Sequence, residues 1–214
     1  MAHYDLEEQE QIDSLKTWWK MYGNLVTAVI AAAALVMVGW QSWHWYRNQQ
    51  AAQAAALFAV LEQAVAAGDA QKIKTLAGQL TEQYASTSQA ALGALLAARQ
   101  SFAAGDLKTA RMQLAWVAEN GRDEMRDLAR FRLANVLLDE KEFDEALKQL
   151  ASAPAPAFAA RFQELRGDVL VAQGNKPEAR TAYRAALDLI GESAGVGIGR
   201  ELLQQKLDSL GEAA

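Results

Sequence analysis

The sequence predicts an all-α protein: a single N-terminal transmembrane helix followed by a stack of short helical repeats. Three observations carry this. Leu25 to Trp40, LVTAVIAAAALVMVGW, runs sixteen residues without a charge. Beyond Arg47 the apolar residues keep helical spacing, interrupted by Gly-Asp and Gly-Asn pairs that recur at intervals. No segment alternates with period two for long enough to make a strand.

The first element is a short amphipathic segment, residues 1–21. It holds Asp5, Glu7, Glu8, Glu10 and Asp13, and Ile12, Leu15, Trp19 and Tyr22 follow at spacings of three, four and three, one helical stripe. It reads as an interfacial lead-in to the membrane, or as a docking handle. The span itself is placed at residues 22–43. From Tyr22 to Trp40 a helix rises about 27 Å, close to the ~30 Å of a bilayer's hydrocarbon core. Trp18, Trp19 and Tyr22 precede the apolar run and Trp40, Trp43 and Trp45 close it. These are the membrane-interface anchors, because an indole or phenol ring is apolar with one polar edge. A cleaved signal peptide needs a short basic start and small residues just after the run. Here the preceding segment is acidic and the run ends in tryptophans, so an uncleaved anchor is expected. Lys16 and Lys20 lie before the span and only Arg47 lies just after it. By the positive-inside rule this places the N-terminus in the cytoplasm and the large C-terminal part outside.

Residues 44–214 form the second domain. Gly68-Asp69, Gly105-Asp106 and Gly174-Asn175 each pair a helix-ending glycine with a helix-starting cap, and Lys141-Glu142 occupies the equivalent turn without a glycine. The turns are in phase. Ala110, Ala146 and Ala179 each stand five residues after Gly105, Lys141 and Gly174, and are 36 and 33 apart. Seven before each turn is a small residue, Ala98, Ala134 or Gly167; nine after is a bulky one, Leu114, Leu150 or Tyr183; three further on come Val117, Ala153 and Ala186. Small residues at fixed places let antiparallel helices approach closely, and the bulky residue fills the gap to the next pair. A period near 34 with this logic is that of a tetratricopeptide repeat. A fourth copy around Gly68 is weaker, with Ile73 where the others have alanine. Residues 191–199, GESAGVGIG, read as a connector: no strand precedes them, so they are no phosphate loop. Residues 200–210 place Leu202, Leu203, Leu207 and Leu210 as one face of a terminal capping helix.

No catalytic constellation is present. There is no cysteine, and the two histidines, His3 and His44, fall on opposite sides of the span. No His-Glu-x-x-His occurs, and Gly191-Glu192-Ser193-Ala194-Gly195 has the Gly-x-Ser-x-Gly spacing without the preceding strand that a nucleophile elbow needs. The chain is therefore expected to be no enzyme and to need no cofactor or metal. A net charge of −5 argues against nucleic acid, which demands concentrated Lys and Arg. The remaining surface is the concave side of the stack, lined by the first helix of each pair. Its candidate polypeptide-binding residues are Leu92, Leu95, Arg99 and Phe102 from one pair, and Leu128, Phe131, Asn135 and Leu138 from the next. The matching positions of the last pair, Arg161, Glu164 and Asp168, are polar. Leucines at such positions also serve as ordinary inter-helix core, so substitution of Phe102 and Phe131 decides between the two.

The combination of SLKTWWKMYGN, a span ending in VGWQSWHWY, then LGALLAARQSFAAGDLKTARMQL and ELRGDVLVAQGNKPEARTAYRAAL resembles the YfgM family along nearly the whole chain. Members of that family are tetratricopeptide-containing inner-membrane proteins, ancillary to the SecYEG translocon. The resemblance implies a cytoplasmic N-terminus and a periplasmic repeat domain. It also implies partnership with SecYEG and with PpiD, a membrane-anchored periplasmic chaperone related to prolyl isomerases. The role implied is assisting transfer of emerging secreted polypeptides to periplasmic chaperones, and a cytoplasmic link to regulator stability is a further implication. The family supplies no catalytic motif to carry over. A rival reading is a non-enzymatic scaffold for another envelope complex, whose repeat domain holds one folded partner.

Overall fold

The computed structural model of the chain describes residues 6–190 and 198–211. Among these residues the chain is helical, with no strand. His3 and most of the 191–199 connector lie outside the described residues. The helices are α1 (Leu6–Ala66), α2 (Ala70–Gln83), α3 (Ser88–Ala103), α4 (Leu107–Asn120), α5 (Asp123–Asp139), α6 (Phe143–Leu150), α7 (Pro156–Ala172), α8 (Lys176–Ile190) and α9 (Ile198–Ser209). The chain divides into two compact units between Gln50 and Ala51. The expected boundary stood at residue 44. From Gln41 to Ala67 there is neither glycine nor proline, so nothing ends the helix there. Ala54 is the first residue of α1 to enter a packed core.

The first unit is helical over its described residues, with lead-in and span continuous. Its apolar side chains face outward: Leu35 is 74% exposed, and Val36, Met37 and Val38 are similar. A core helix of a soluble protein buries such residues; this stretch is long and apolar enough to cross a membrane and is almost unburied. Thr27, the one hydroxyl between Leu25 and Trp40, donates back to the carbonyls of Gly23 and Asn24, at 2.9 and 3.0 Å. No polar group of that side chain then needs water. Trp18, Trp19, Tyr22, Trp40, Trp43 and Trp45 are all exposed, in two groups before and after the apolar stretch. Trp18 lies 5.9 Å from the Tyr22 ring, and Trp40 meets His44 edge-on at 4.6 Å.

The second unit is a stack of helix pairs, each closed by the same turn. Gly68, Gly105 and Gly174 take φ of +69°, +79° and +87°, the left-handed geometry that glycine adopts freely. Each following residue donates its N–H five positions back: Asp69 to Ala64 O at 3.0 Å, Asp106 to Ser101 O at 2.9 Å, Asn175 to Leu170 O at 2.8 Å. This satisfies carbonyls the helix end would leave open. Lys141 makes the identical turn at φ +63°, with Glu142 N–H on Leu137 O at 2.8 Å. The next helix is then capped. Asp69 and Asp106 accept from the N–H groups of Lys72 and Thr109, each at 3.0 Å. Glu142 makes no such side-chain bond. The turn at Gly68 is thus a full copy of the others, with Ile73 buried in the alanine's place.

Packing follows the phase of the repeat. Ala98, Ala134 and Gly167 are buried, as are Ala110, Ala146 and Ala179, and Leu114, Leu150 and Tyr183 fill the spaces between pairs. The approach is close at Gly167: a Cβ there would lie 2.9 Å from Tyr183 Cζ and nearer still to the ring's Cε1 and Cδ1. One phase position departs from the pattern. Ala153 is exposed, because α6 ends at Leu150 and Pro154 and Pro156 prevent its continuation. A buried carboxylate organises that irregular loop: Asp127 Oδ2 on α5 accepts the Ala155 N–H, just before α7, at 2.8 Å. On α9, Leu203 is fully buried against Tyr183, Ala186 and Leu187, with Leu207 and Leu210 beside it. Leu202, expected on the same face, is half exposed. Residues 203, 207 and 210 form one stripe; its neighbour at 202 is turned by about 100°.

Candidate binding cleft

A cleft of roughly 380 Å³ opens between α3 and α5 over α4. Its lining is Ala98, Arg99 and Phe102 from α3, Leu114 from α4, and Phe131, Arg132, Asn135 and Val136 from α5. The geometry is set by the small residues. Ala98 and Ala134 let the pairs close up, and Phe102 is left 46% exposed at the rim, with no partner ring among the described residues. Phe131 is half-buried and stacks on the fully buried Phe162 of α7 at 6.2 Å, so its inner face is core and its outer edge is cleft wall. Asn135 is pinned by its own amide, whose Nδ2 donates to Phe131 O at 2.8 Å. Arg99 and Arg132 are exposed beside the apolar lining, and neither has an ion pair or hydrogen bond among the described residues.

Of the eight expected groove residues, Arg99, Phe102, Phe131 and Asn135 come together here. Leu92 is exposed on α3 but does not line the cleft. Leu95 is buried in the central core with Leu114, Leu133 and Leu137, so it supports the cleft from beneath rather than lining it. Leu128 and Leu138 are half-buried and packed against that same core. The sequence reading missed Arg132 and Val136. Arg132 sits directly after Phe131, off the apolar stripe, where an arginine reads as a solvated face.

The polar end of the first-helix row has a different explanation. Glu164 and Asp168 on α7 receive Lys206 of α9, whose Nζ lies 2.8 Å from Glu164 Oε1 and from both Asp168 carboxylate oxygens. The Tyr183 hydroxyl donates to Asp168 Oδ1 at 2.7 Å. Burial, together with that hydrogen bond to a carboxylate, pushes the Tyr183 phenol well above its usual range. Burial works against the Lys206 ammonium, but its hydrogen bonds to Asp168 and Glu164 outweigh it and raise its pKa. Arg180 also donates to the Gly211 carbonyl beyond α9. These polar positions therefore hold the terminal helix in place.

Antiparallel helix pairs with identical turns, stacked in one direction and closed by a capping helix, define a tetratricopeptide-type repeat protein. The family model for a tetratricopeptide repeat-like domain matches residues 16–212, and the chain belongs to that family, as its motifs imply. It is 36% identical to a protein of Neisseria gonorrhoeae, covering 96% of this chain and 98% of the relative. It is 27% identical to one of Haemophilus influenzae, over 97% and 99%, and 25% identical to one of Escherichia coli, over 95% and 96%. Each of these relatives is described as an ancillary SecYEG translocon subunit. No solved structure matches the chain.

Proposed function

We propose that this chain is an ancillary subunit of the SecYEG translocon, anchored by one pass through the inner membrane. The N-terminus lies in the cytoplasm and the repeat domain in the periplasm. Trp18, Trp19 and Tyr22 sit at one headgroup boundary, and Trp40, Trp43 and Trp45 at the other. The repeat domain holds segments of newly translocated polypeptides and assists their transfer to periplasmic chaperones, a PpiD-like protein among them. The observation that carries the binding role is the cleft: an apolar recess walled by Phe131 and by Phe102, the one exposed phenylalanine among the described residues. Pockets of this size and lining suit a few side chains of an extended chain. The end-to-end match to translocon subunits supports the location. Tethering makes the mechanism passive: an anchored cleft meets an emerging chain at high effective concentration, so each contact can be weak and brief.

The test is a photo-reactive amino acid at Phe102 in the full-length chain, irradiated during secretion. Cross-links to several nascent secreted chains are expected. Cross-links to a single folded protein, with none to nascent chains, would instead make the chain a scaffold. For orientation, a periplasm-dependent reporter fused after Ala214 is expected to be active, and activity of a cytoplasm-dependent one there reverses the topology.

A further inference from the structure

Among the described residues, the arginines around α4 and α5 are mostly engaged. Arg111 pairs with Glu140 at 3.1 Å, Arg126 donates to Gly121 O at 3.2 Å, and Arg130 faces Asp127 at 4.0 Å. Arg99 and Arg132 differ in both setting and company. Each lines the apolar cleft, on opposite helices, and no carboxylate lines it with them. Two guanidiniums beside a low-dielectric recess attract a negative charge more strongly than they would in open water. They also present planar donor pairs that fit a carboxylate. Asn135 adds a third polar group. Its Nδ2 is spent on Phe131 O, which leaves Oδ1 as an acceptor at the cleft wall.

We infer that the cleft is selective: it takes an extended polypeptide segment in which an aliphatic or aromatic side chain neighbours an Asp or Glu. The apolar side chain enters between Phe102 and Phe131. The adjacent carboxylate meets Arg99 and Arg132, and a backbone N–H of the segment donates to Asn135 Oδ1. That acceptor suits a peptide, which carries a backbone N–H beside every side chain it presents. Basic segments are disfavoured, because the two arginines repel them at short range. The inference rests on the cleft being the polypeptide site proposed above, and it adds which sequences that site prefers.

The test uses the full-length protein in nanodiscs of neutral lipid and three labelled nine-residue peptides. The peptides are identical, with leucine and phenylalanine flanking a central Asp, Asn or Lys, and binding is read by fluorescence anisotropy. The Asp peptide is expected to bind about tenfold tighter than the Asn peptide, the scale of one charge-assisted hydrogen bond, and the Lys peptide weakest. In R99Q/R132Q the three affinities should converge to within about twofold, that hydrogen bond now being gone. Both arginines are exposed, so this variant should melt with the wild type. Equal binding of all three peptides by the wild type, abolished by F102D, would overturn the charge preference and leave the polypeptide site standing. Absence of binding by any peptide to the folded protein would remove both readings. Soluble short-chain phosphatidylglycerol that displaces nothing supports a peptide site; phosphatidylglycerol that binds in an arginine-dependent way while no peptide does would make the cleft a lipid site.

Discussion

Gly167→Ala adds one methyl group where, of the described glycines, a built Cβ meets its neighbour most closely. The built Cβ falls 2.9 Å from Tyr183 Cζ and closer to two other ring carbons, so the ring must move. It has little room, being 3% exposed and packed against Leu203. Moving it also strains the hydroxyl's 2.7 Å bond to Asp168. Overpacking of a core costs about 1–3 kcal/mol, and a hydrogen bond to a charged acceptor is worth roughly 1.5–3 kcal/mol. Against these, replacing a mid-helix glycine by alanine returns about 0.5–1 kcal/mol. The net expectation is a loss of roughly 2–4 kcal/mol. For a chain of this size that lowers Tm by about 5–15 °C. Thermal unfolding of the full-length protein in mild detergent, with hydrogen exchange of α7 and α8, measures it. Gly78→Ala is the control. Gly78 lies inside α2 with nothing within 4 Å of its built Cβ, so it should gain about 0.5–1 kcal/mol. Adding Tyr183→Leu to Gly167→Ala removes the obstructing ring, and the alanine should then be better tolerated than in the wild type. If Gly167→Ala melts at or above the wild type, close contact between α7 and α8 is not what this glycine is for.

Lys141→Gly relieves a left-handed residue that carries a side chain, and should raise stability by about 1 kcal/mol in denaturant or thermal melts. Asp127→Ala strips the acceptor from the Ala155 N–H ahead of α7. It should cost about 1–3 kcal/mol and speed hydrogen exchange at residues 152–158 before the rest of the domain. The network around Asp168 makes stability sensitive to alkali. Tyr183 and Lys206 both hold their protons more tightly folded than unfolded. Their contribution is whole below the ordinary values of 10.0 and 10.5 and is lost as pH climbs through the higher folded values. Tm should therefore fall from about pH 10 upward, and less steeply in Tyr183→Phe, as melts at about pH 9 and about pH 11 would reveal.

The repeat was legible because its constraints are local. A left-handed turn selects glycine, a helix start selects Asp or Asn, and a close crossing selects alanine or glycine, each at a fixed offset from the others. That is why Ala98, Ala134 and Gly167 could be placed from spacing alone, and why a lysine at position 141 did not hide the third turn. Ile73 obscured the first copy for the same reason: the turn at Gly68 keeps its geometry while the packing residue changed size. The small residue of that crossing stands at Gly93, where a Cβ would stand 2.6 Å from Leu80 Cδ1 and 3.2 Å from Leu61 Cδ2. Contacts across large separations left no such trace. Lys206 meets Glu164 and Asp168 from 42 and 38 residues away, and Asp127 reaches Ala155 across 28. A carboxylate engaged at long range has the same local sequence as a solvated one.

The cleft shows where such legibility ends. An apolar residue on the first helix of a pair can face inward, outward or both ways, and periodicity narrows this only to a stripe. Leu95, Phe131 and Phe102 all lie near that stripe on α3 and α5, yet they are respectively buried, half-buried and exposed. What separates them is the neighbouring pair. Phe162 of α7 covers the inner face of Phe131, whereas no ring among the described residues covers Phe102. The two phenylalanines therefore carry different burdens. Phe102→Asp should leave Tm nearly unchanged, within the roughly 0.5 kcal/mol usual for surface sites, and abolish peptide binding read by anisotropy. Phe131→Asp should unsettle the packing on Phe162, lowering Tm whatever it does to binding. A domain in which Phe102→Asp melted as early as Phe131→Asp would have no open cleft at that position. Such a domain would have no polypeptide site there, while the stack of paired helices would stand.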